Sequence, residues 1–595
     1  MTPNGPAPIF SPMQPARPWL RRGCTWLLGL LGAVATAAPG QAAEDLIVSF
    51  GVLQRAIPIA DLERFATTGE LTPQLQIYSQ QLQLTDDQLA QIQTVLTTPA
   101  TLGPVPVAQF LYTEQGVLLL EQIGRVVQTP QRQANVQALR GALILAAADL
   151  EGGFTLLNVL KTYPTGAMRI DLAEGLAIAQ EINQAILQSE VAFGEVRRQA
   201  EAQAQASPID VEAMLRLVQS ERQYGVARAR VVVPGLPRPV ELYLPQVRAG
   251  RRAPAAGFPV VVVSHGLGGT TGSYTYLAEY LASGGIAVAA LEHAGSNDQQ
   301  LYALLAGRSD AVVQDEEFLR RPRDVSRTLD ILTQLQTPNT PLPARLDLSR
   351  VGIVGQSFGG YTALALAGAT FDKPGLSEAC PPSTLSFNPS LLLQCQAARL
   401  GDPGNSLSDG RVDSIFLMNP IGSVLFGASG YGQVAVPMMV VAGTADTIAP
   451  AFPEQIQPFD WMTVPERYLL LISQGTHFST IGDVALGDQP LPIPPEIIGL
   501  RPELVWSYMQ VLGLAYFKVT LAGDQRFQPA MTAAFAAALG TDPYPLSLIS
   551  PQVGDLPAAG PDVTPASSPA DGGGSSGESA PVAGPEASPV APPGP

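Results

Sequence analysis

Residues 350–369 read RVGIVGQSFGGYTALALAGA, where a short apolar run leads into glycines and then into a helix-forming stretch. Gly355 to Gly359 follow the pattern G-x-S-x-G, with Ser357 at the centre. A serine on a sharp strand-to-helix turn needs glycine on both sides, because larger side chains would collide with the neighbouring backbone. The stretch therefore predicts a strand, a tight turn and a helix that present Ser357 as a nucleophile. The alternative is a glycine-rich turn that serves only packing.

Other short apolar runs flank this stretch, and each ends in glycine, polar or turn residues. They are RVVVPG, PVELYLP, PVVVVSHG, GIAVAALEH, VDSIFLMNP, PMMVVAGTAD and RYLLLISQGTH. Helical stretches separate several of them, at 274–283, 324–335 and 361–369. Strands that alternate with helices indicate a mostly parallel sheet covered on both faces, with functional residues at the carboxyl ends of its strands. The sequence thus predicts an α/β domain over residues 224–550.

A serine hydroxyl needs a base within hydrogen-bond reach and an acid that orients the base. The chain has three histidines. His477 follows the last apolar run in GTHFS, and Asp446 ends the preceding run in GTAD. The order serine, aspartate, histidine is one that strand–turn–helix nucleophile folds use. We therefore predict that Ser357, Asp446 and His477 form a catalytic triad; His293 is the second candidate base, and a structural role for His477 is the alternative.

The turn SHGLGG, which follows the run PVVVV, is of the kind that supplies a backbone N–H to an oxyanion hole. We assign that donor to Leu267 and the second donor to Phe358, the residue after the nucleophile. His265 is expected to hold the glycine-rich loop, and His293 to shape the pocket wall.

The segments SHGLGG, EHAGS, GQSFGG, GTAD and THF resemble platelet-activating-factor acetylhydrolases and their dienelactone-hydrolase-like relatives in the α/β-hydrolase superfamily. The resemblance covers roughly residues 224–521. It implies an α/β-hydrolase fold and a cofactor-independent carboxylester hydrolase for small-molecule or lipid esters, with the triad and oxyanion donors named above. A lipid ester would bring contact with a membrane surface or a micelle. Gln356 stands where the family often has histidine, and LEHAGS departs from its usual His-Arg-Asp run.

The region before this domain, residues 44–206, has apolar residues three and four apart and predicts an all-helical domain. Thr85 and Gln88 form a capping-box signature, and a longer helix is expected within 170–203. The region resembles an uncharacterised domain that precedes such hydrolases in cyanobacteria. The formal net charge of -17 gives no basic face for nucleic acid, so we expect no nucleic-acid partner.

Residues 1–43 predict a secretory signal peptide. Arg17, Arg21 and Arg22 precede an apolar run over 24–38 that is shorter than the ~20 residues needed to cross a bilayer, and small residues follow it. The alternatives are an uncleaved anchor or a twin-arginine signal. We therefore expect export to the periplasm or secretion. The Pro/Ala/Gly/Ser-rich residues 551–595 predict a disordered tail.

Two cysteines, Cys380 and Cys395, would remain in the exported chain, and we predict a disulfide between them. The alternative is a pair of free buried thiols. No metal-ligand spacing appears, so we expect no metal site. The cysteines lie in an insertion around 372–410, which with 294–321 could wall or cover the site. The alternative is a packing role without effect on catalysis.

Two other functional classes stay open at this level. A serine peptidase or a polyester-cleaving esterase would use the same triad, and a non-catalytic binding protein could share the scaffold.

Overall fold

The structure is a computed structural model that describes residues 42–551, except for 52, 101, 249–251, 337–341, 343, 381–387, 483–484, 487–488 and 491–497. The expected leader and the expected tail therefore lie almost wholly outside the described residues. Among the helices of the described part of the chain, none combines the length and the apolar character needed to span a bilayer.

The main element is a nine-stranded sheet in the order β15-β12-β11-β10-β9-β7-β8-β6-β5. Its strands are β5 Gly225–Val231, β6 Val240–Gln246, β7 Phe258–Ser264, β8 Ala287–Leu291, β9 Leu346–Gln356, β10 Val412–Met418, β11 Met438–Gly443, β12 Arg467–Ile472 and β15 Leu546–Ile549. Two short strands, β13 Ala485–Leu486 and β14 Gln489–Pro490, pair antiparallel with each other outside this sheet. Strands β7 to β12 pair in parallel. At one end of the sheet β6 pairs antiparallel with β8 and β5 pairs antiparallel with β6, and at the other end β15 pairs antiparallel with β12. The predicted mostly parallel sheet is confirmed.

Almost every residue of the central strands is buried, as in β7 and β11. Both faces are therefore covered, which explains why these strands read as continuous apolar runs rather than as alternating ones. The covering and connecting helices are α9 Val211–Ser220, α10 Thr275–Ser283, α11 Asp298–Leu305, α12 Glu317–Gln334, α13 Phe358–Leu366, α14 Lys373–Ala379, α15 Ser390–Gln394, α16 Ser423–Tyr431, α17 Gln457–Trp461, α18 Pro502–Thr520 and α19 Ala533–Leu539.

The N-terminal region is mixed rather than all-helical, which corrects the expectation from its sequence. Four short strands form a separate sheet in the order β2-β1-β4-β3. They are β1 Asp45–Phe50, β2 Leu53–Pro58, β3 Val127–Gln128 and β4 Ala167–Asp171. Strands β1 and β4 pair in parallel although they lie more than a hundred residues apart. Burial does not alternate along β1 or β4, so neither strand has the two-residue apolar period by which a sequence indicates a strand.

Helices form the rest of this region and enclose a separate apolar core. They are α1 Ile59–Thr68, α2 Pro73–Gln81, α3 Asp86–Thr97, α4 Pro104–Tyr112, α5 Glu114–Val126, α6 Val136–Ala148, α7 Leu156–Thr162 and α8 Leu172–Ala206. The capping box of Thr85 and Gln88 is present at the start of α3. Helix α8 is 35 residues long and contacts β1 and β4 as well as β15 and α19.

The sulfur atoms of Cys380 and Cys395 are bonded, and their Cα atoms are 5.4 Å apart. The bond joins the end of α14 to the residue that follows α15.

Replacing both cysteines with serine should lower the free energy of unfolding by about 3 kcal/mol, because the open chain gains conformational entropy when it unfolds. Urea unfolding of the protein, with and without a reductant, measures this effect. The reduced wild type is the matched control, since it should reproduce the loss. Equal midpoints for oxidised protein, reduced protein and double variant would contradict the prediction.

Candidate active site

Ser357 lies between the end of β9 and the start of α13, in the strained turn that the sequence indicates. Its backbone has φ 53° and ψ -117°, outside the regions that non-glycine residues favour. A Cβ atom on Gly355 would overlap the carbonyl oxygen of Gly359, and one on Gly359 would overlap that of Ser264. Both flanking glycines are therefore required by close backbone approach. The Ser357 N–H donates to the carbonyl of Met418 at the end of β10, at 2.9 Å.

The loop after β7 packs directly against this turn. A Cβ atom on Gly266 would lie 3.2 Å from Cβ of Ser357 and would overlap the Gln356 amide oxygen. Within the described part of the chain, the backbone N–H groups of Leu267 and Phe358 have no hydrogen-bond partner. The two predicted oxyanion donors thus belong to segments that meet at Ser357, and their N–H groups are available to a ligand.

Asp446 and His477 lie together at the carboxyl ends of β11 and β12. His477 Nδ1 is 2.7 Å from Asp446 Oδ2, and both side chains are buried. The backbone N–H groups of Ile448 and Ala449 donate to Asp446 Oδ1, at 2.9 Å and 2.8 Å. A carboxylate can only accept, so Nδ1–H of the ring donates, and in the neutral ring the lone pair is then on Nε2. This is the tautomer that a general base requires.

Asn419 was missed by the sequence reasoning. Its Nδ2 donates to Asp446 Oδ2 at 2.8 Å, and its backbone has φ 45°. It follows β10 directly, in LMNP, so a polar residue at the carboxyl end of a parallel strand was the signal that could have found it. Asn419 thus holds Oδ2, the carboxylate oxygen that also faces His477, while the backbone donors hold Oδ1.

The contact between the base loop and the nucleophile turn runs through Gln356, whose Nε2 donates to the His477 carbonyl at 3.1 Å. Among the described residues, the Ser357 hydroxyl makes no hydrogen bond, to the His477 ring or elsewhere. Catalytic hydrogen bonds are often long without substrate and shorten when it binds. Asp446 and His477 are therefore in direct contact, and the loop that carries His477 is bonded to Gln356, the residue before Ser357.

The other two histidines face a buried polar cluster. His265 Nδ1 donates to the Gly266 carbonyl at 2.6 Å, and Nε2 accepts from the His293 N–H at 3.0 Å. The His293 ring nitrogens lie 3.0 Å from Ser264 Oγ and 3.4 Å from Asp324 Oδ2. His293 is thus engaged away from Ser357, which leaves His477 as the base candidate that the geometry favours.

Burial shifts the titration of this cluster. It lowers the pKa of His265 to about 3, with the Arg321 charge as the second cause. The same two causes lower the pKa of His293 well below its ordinary value. Burial, and then the nearby Glu317, raises the pKa of Asp324 to about 7. The two histidines are therefore neutral in the folded protein at neutral pH.

Acidification should destabilise the fold through these histidines. Below pH 6.5 the unfolded chain binds a proton at His265 and at His293, whereas the native state binds neither proton. Each histidine therefore lowers the free energy of unfolding by about 1.4 kcal/mol per pH unit as the pH falls towards its pKa in the folded protein. Asp324 acts oppositely, because between its unfolded and folded pKa only the native state holds its proton. The net effect of the three groups is a loss.

Urea unfolding of wild type and His265→Asn between about pH 7 and pH 5 tests this expectation. The variant should show a slope of stability against pH that is smaller by about 1.4 kcal/mol per unit, while every other titrating group is shared and cancels in the difference. Parallel stability curves would show that His265 is not held neutral.

The insertion is anchored beside the acid loop. Glu454 is fully buried and accepts hydrogen bonds from three insertion side chains and from the segment after β10. The donors are Asn388 Nδ2, Ser390 Oγ, Gln394 Nε2, Gly422 N, Ser423 N and Ser423 Oγ. The Ser390 N–H also donates to the Ile448 carbonyl at 3.0 Å. The insertion therefore contacts the same short turn that holds Asp446.

The N-terminal region contacts the other predicted wall. Helix α4 packs on α11, and a Cβ atom on Gly307 would lie 2.8 Å from Gln109 Nε2. Arg399 of the insertion pairs with Asp315 at 2.7 Å and also with Glu114 of α5. These contacts link both walls to the N-terminal helices.

Each of the three loops at the site presents an exposed or half-exposed apolar side chain. Leu267 and Ile448 are each 37% exposed, and half-buried Phe478 places its ring 5.6 Å from that of His477. In the described part of the chain, no cluster of histidine, cysteine, aspartate and glutamate is arranged to hold a metal ion.

Two family models match the chain. One, described as an alpha/beta hydrolase of unknown function (DUF1400), matches residues 42–171. The other, described as platelet-activating factor acetylhydrolase, isoform II, matches residues 240–373. The second match contains Leu267, Ser357 and Phe358 but ends before Asp446 and His477. Together the matches establish a resemblance to the α/β-hydrolase superfamily and support a hydrolase of the esterase type.

Proposed function

We propose that the protein is a serine carboxylester hydrolase in which Ser357, His477 and Asp446 act as nucleophile, base and orienting acid. The observation that carries the proposal is the buried His477–Asp446 hydrogen bond of 2.7 Å, on a loop held against the strained turn of Ser357. Available N–H groups at Leu267 and Phe358 supply the oxyanion donors.

The reaction follows from these positions. His477 Nε2 takes the hydroxyl proton while Ser357 Oγ bonds to the ester carbonyl carbon, and the oxyanion accepts from the Leu267 and Phe358 N–H groups. The oxyanion then collapses, the bond to the alcohol breaks, and His477 returns the proton to the leaving oxygen. Water repeats both steps on the acyl-enzyme and releases the acid. No cofactor takes part.

A fluorophosphonate probe tests the proposal, because only an activated serine displaces its fluoride. The folded protein should be labelled once, on the peptide that contains Ser357, and heat-unfolded protein is the control that should stay unlabelled. If the folded protein also stays unlabelled, the scaffold is a binding protein rather than an enzyme.

The apolar side chains of Leu267, Ile448 and Phe478 favour an ester with an apolar portion, such as a short-acyl or lipid ester. Turnover of a panel of esters and amides of increasing chain length, in soluble and micellar form, tests this substrate class. Faster turnover of amides or of polyester films would instead favour the peptidase or the polyester-cleaving esterase.

We also propose that the protein acts outside the cytoplasm. The leader-like residues 1–43 support this location, and so does the bonded pair Cys380–Cys395, since disulfides persist in oxidising compartments. Cell fractionation and N-terminal sequencing test it: the exported protein should begin near Ala43, and an intact cytoplasmic chain would contradict the proposal.

A further inference from the structure

Arg321 is a fully buried arginine of α12, directly behind the proposed oxyanion donors. Its Nε donates to Thr362 Oγ1 at 3.0 Å, and its Nη1 donates to Ser296 Oγ at 2.6 Å. Its Nη2 donates to Ser264 Oγ at 3.2 Å and to the His265 carbonyl. One side chain thus joins β7 and its loop, the loop after β8 and helix α13.

The contacts of Arg321 restrain the chain before and after Leu267. It holds the carbonyl of His265, whose ring in turn holds the carbonyl of Gly266 at 2.6 Å. In a trans peptide the carbonyl and the following N–H point in opposite directions, so fixing the Gly266 carbonyl fixes the direction of the Leu267 N–H. On the other side, the Gly268 N–H donates at 2.8 Å to the carbonyl of Ser296, the residue whose hydroxyl Arg321 holds.

The same side chain also contacts the second donor residue. The guanidinium carbon lies 4.5 Å from the centroid of the Phe358 ring. Thr362 Oγ1, which accepts from Arg321 Nε, donates to the Phe358 carbonyl at 3.0 Å. Arg321 therefore restrains the first turn of α13, whose N–H groups point towards Ser357.

Burying a guanidinium is costly unless its donors are satisfied, and here each of its three nitrogen atoms donates. Burial lowers the pKa of Arg321 to about 10, with Glu317 and Asp324 as the nearby opposing charges, so the group stays charged at neutral pH. A permanent positive charge behind the donors also favours a negative charge on the oxyanion.

We propose that Arg321 is a positioning residue that assembles the oxyanion hole by fixing the Leu267 and Phe358 N–H groups together. The proposal rests on the serine-esterase function proposed above. It differs from a purely structural role, in which loss of Arg321 would only reduce the fraction of folded protein.

Arg321→Lys tests the proposal, because lysine keeps the charge but cannot reach all four acceptors with one ammonium group. Fluorophosphonate titration first counts the competent sites. We then expect kcat per titrated site to fall about 10- to 100-fold while KM changes less than about threefold, since the donors act on the transition state. The matched control is Arg411→Lys, half-buried and paired with Asp409 and Asp330 at the opposite end of the sheet, which should keep kcat.

Thr362→Val is a second variant that tests the same proposal if Arg321→Lys does not fold. It removes one acceptor of Arg321 and should lower kcat per site about 3- to 10-fold. Thr328→Val, at a buried threonine that bonds only within α12, is its matched control. Unchanged kcat per site in both Arg321→Lys and Thr362→Val overturns the inference. If the wild type itself shows no labelling at Ser357, the failure lies in the proposed function instead.

Discussion

Replacing Ser357 with alanine should abolish ester hydrolysis, with a loss of kcat on the order of a million-fold if chemistry is rate-limiting. In the proposed mechanism the Ser357 oxygen forms the acyl bond, and alanine has no atom that can take its place. The fold should persist, because alanine keeps the Cβ atom and the backbone bond to Met418. Initial rates on p-nitrophenyl esters, together with thermal unfolding, measure both statements.

Ser283→Ala is the matched control for this experiment. Ser283 is also buried, and its hydroxyl donates to the Tyr280 carbonyl at the end of α10, away from the site. This variant should retain wild-type kcat and fluorophosphonate labelling. Turnover that survives in Ser357→Ala, at a level above trace contamination, would remove Ser357 from the mechanism.

Asp446→Asn should lower kcat about ten-thousand-fold with little change in shape. Two backbone N–H groups donate to Oδ1, so the amide oxygen of asparagine will take that place and its NH₂ group will face His477 Nδ1. Two donors cannot share that contact. The ring must then move its proton to Nε2, which removes the lone pair that would accept the Ser357 proton.

Asp347→Asn serves as the control, because Asp347 lies on the same strand as the nucleophile but at its opposite end, where it binds Ser349 and Arg350. It should change stability but leave kcat unaltered. A small loss in Asp446→Asn, similar to that of the control, would mean that another group orients His477.

Most of the nine-stranded sheet and of the candidate site could be predicted from the sequence, because the patterns that indicate them lie within short segments. Buried parallel strands are continuous apolar runs, and the nucleophile turn needs its glycines within five residues. Asp446 and His477 each follow such a run directly, so the parallel arrangement of the strands is enough to predict that they lie close together.

Other features could not be predicted from the sequence, because they depend on contacts between segments that are far apart in the chain. The N-terminal sheet joins Asp45 to Ala167, and neither strand has a period of its own. Arg321 stands in the run RRPRD, which resembles a solvated charge cluster, and only packing shows which arginine is buried. Asn419 is uncharged and belongs to no motif, and its role follows from its hydrogen bond to the Asp446 carboxylate.

Helix α8 couples the unfolding of the N-terminal region to that of the domain with the nine-stranded sheet. Near its start, Glu174 pairs with Arg125, and near its end Gln203 bonds both the N–H and the carbonyl of Ser550, next to the outermost strand β15. Loosening either end would expose part of the other, so one cooperative melting transition is the natural outcome. A truncated chain that starts after Ala206 would leave the β15 edge uncovered and prone to aggregation, whereas one that starts within α8 would keep its cover.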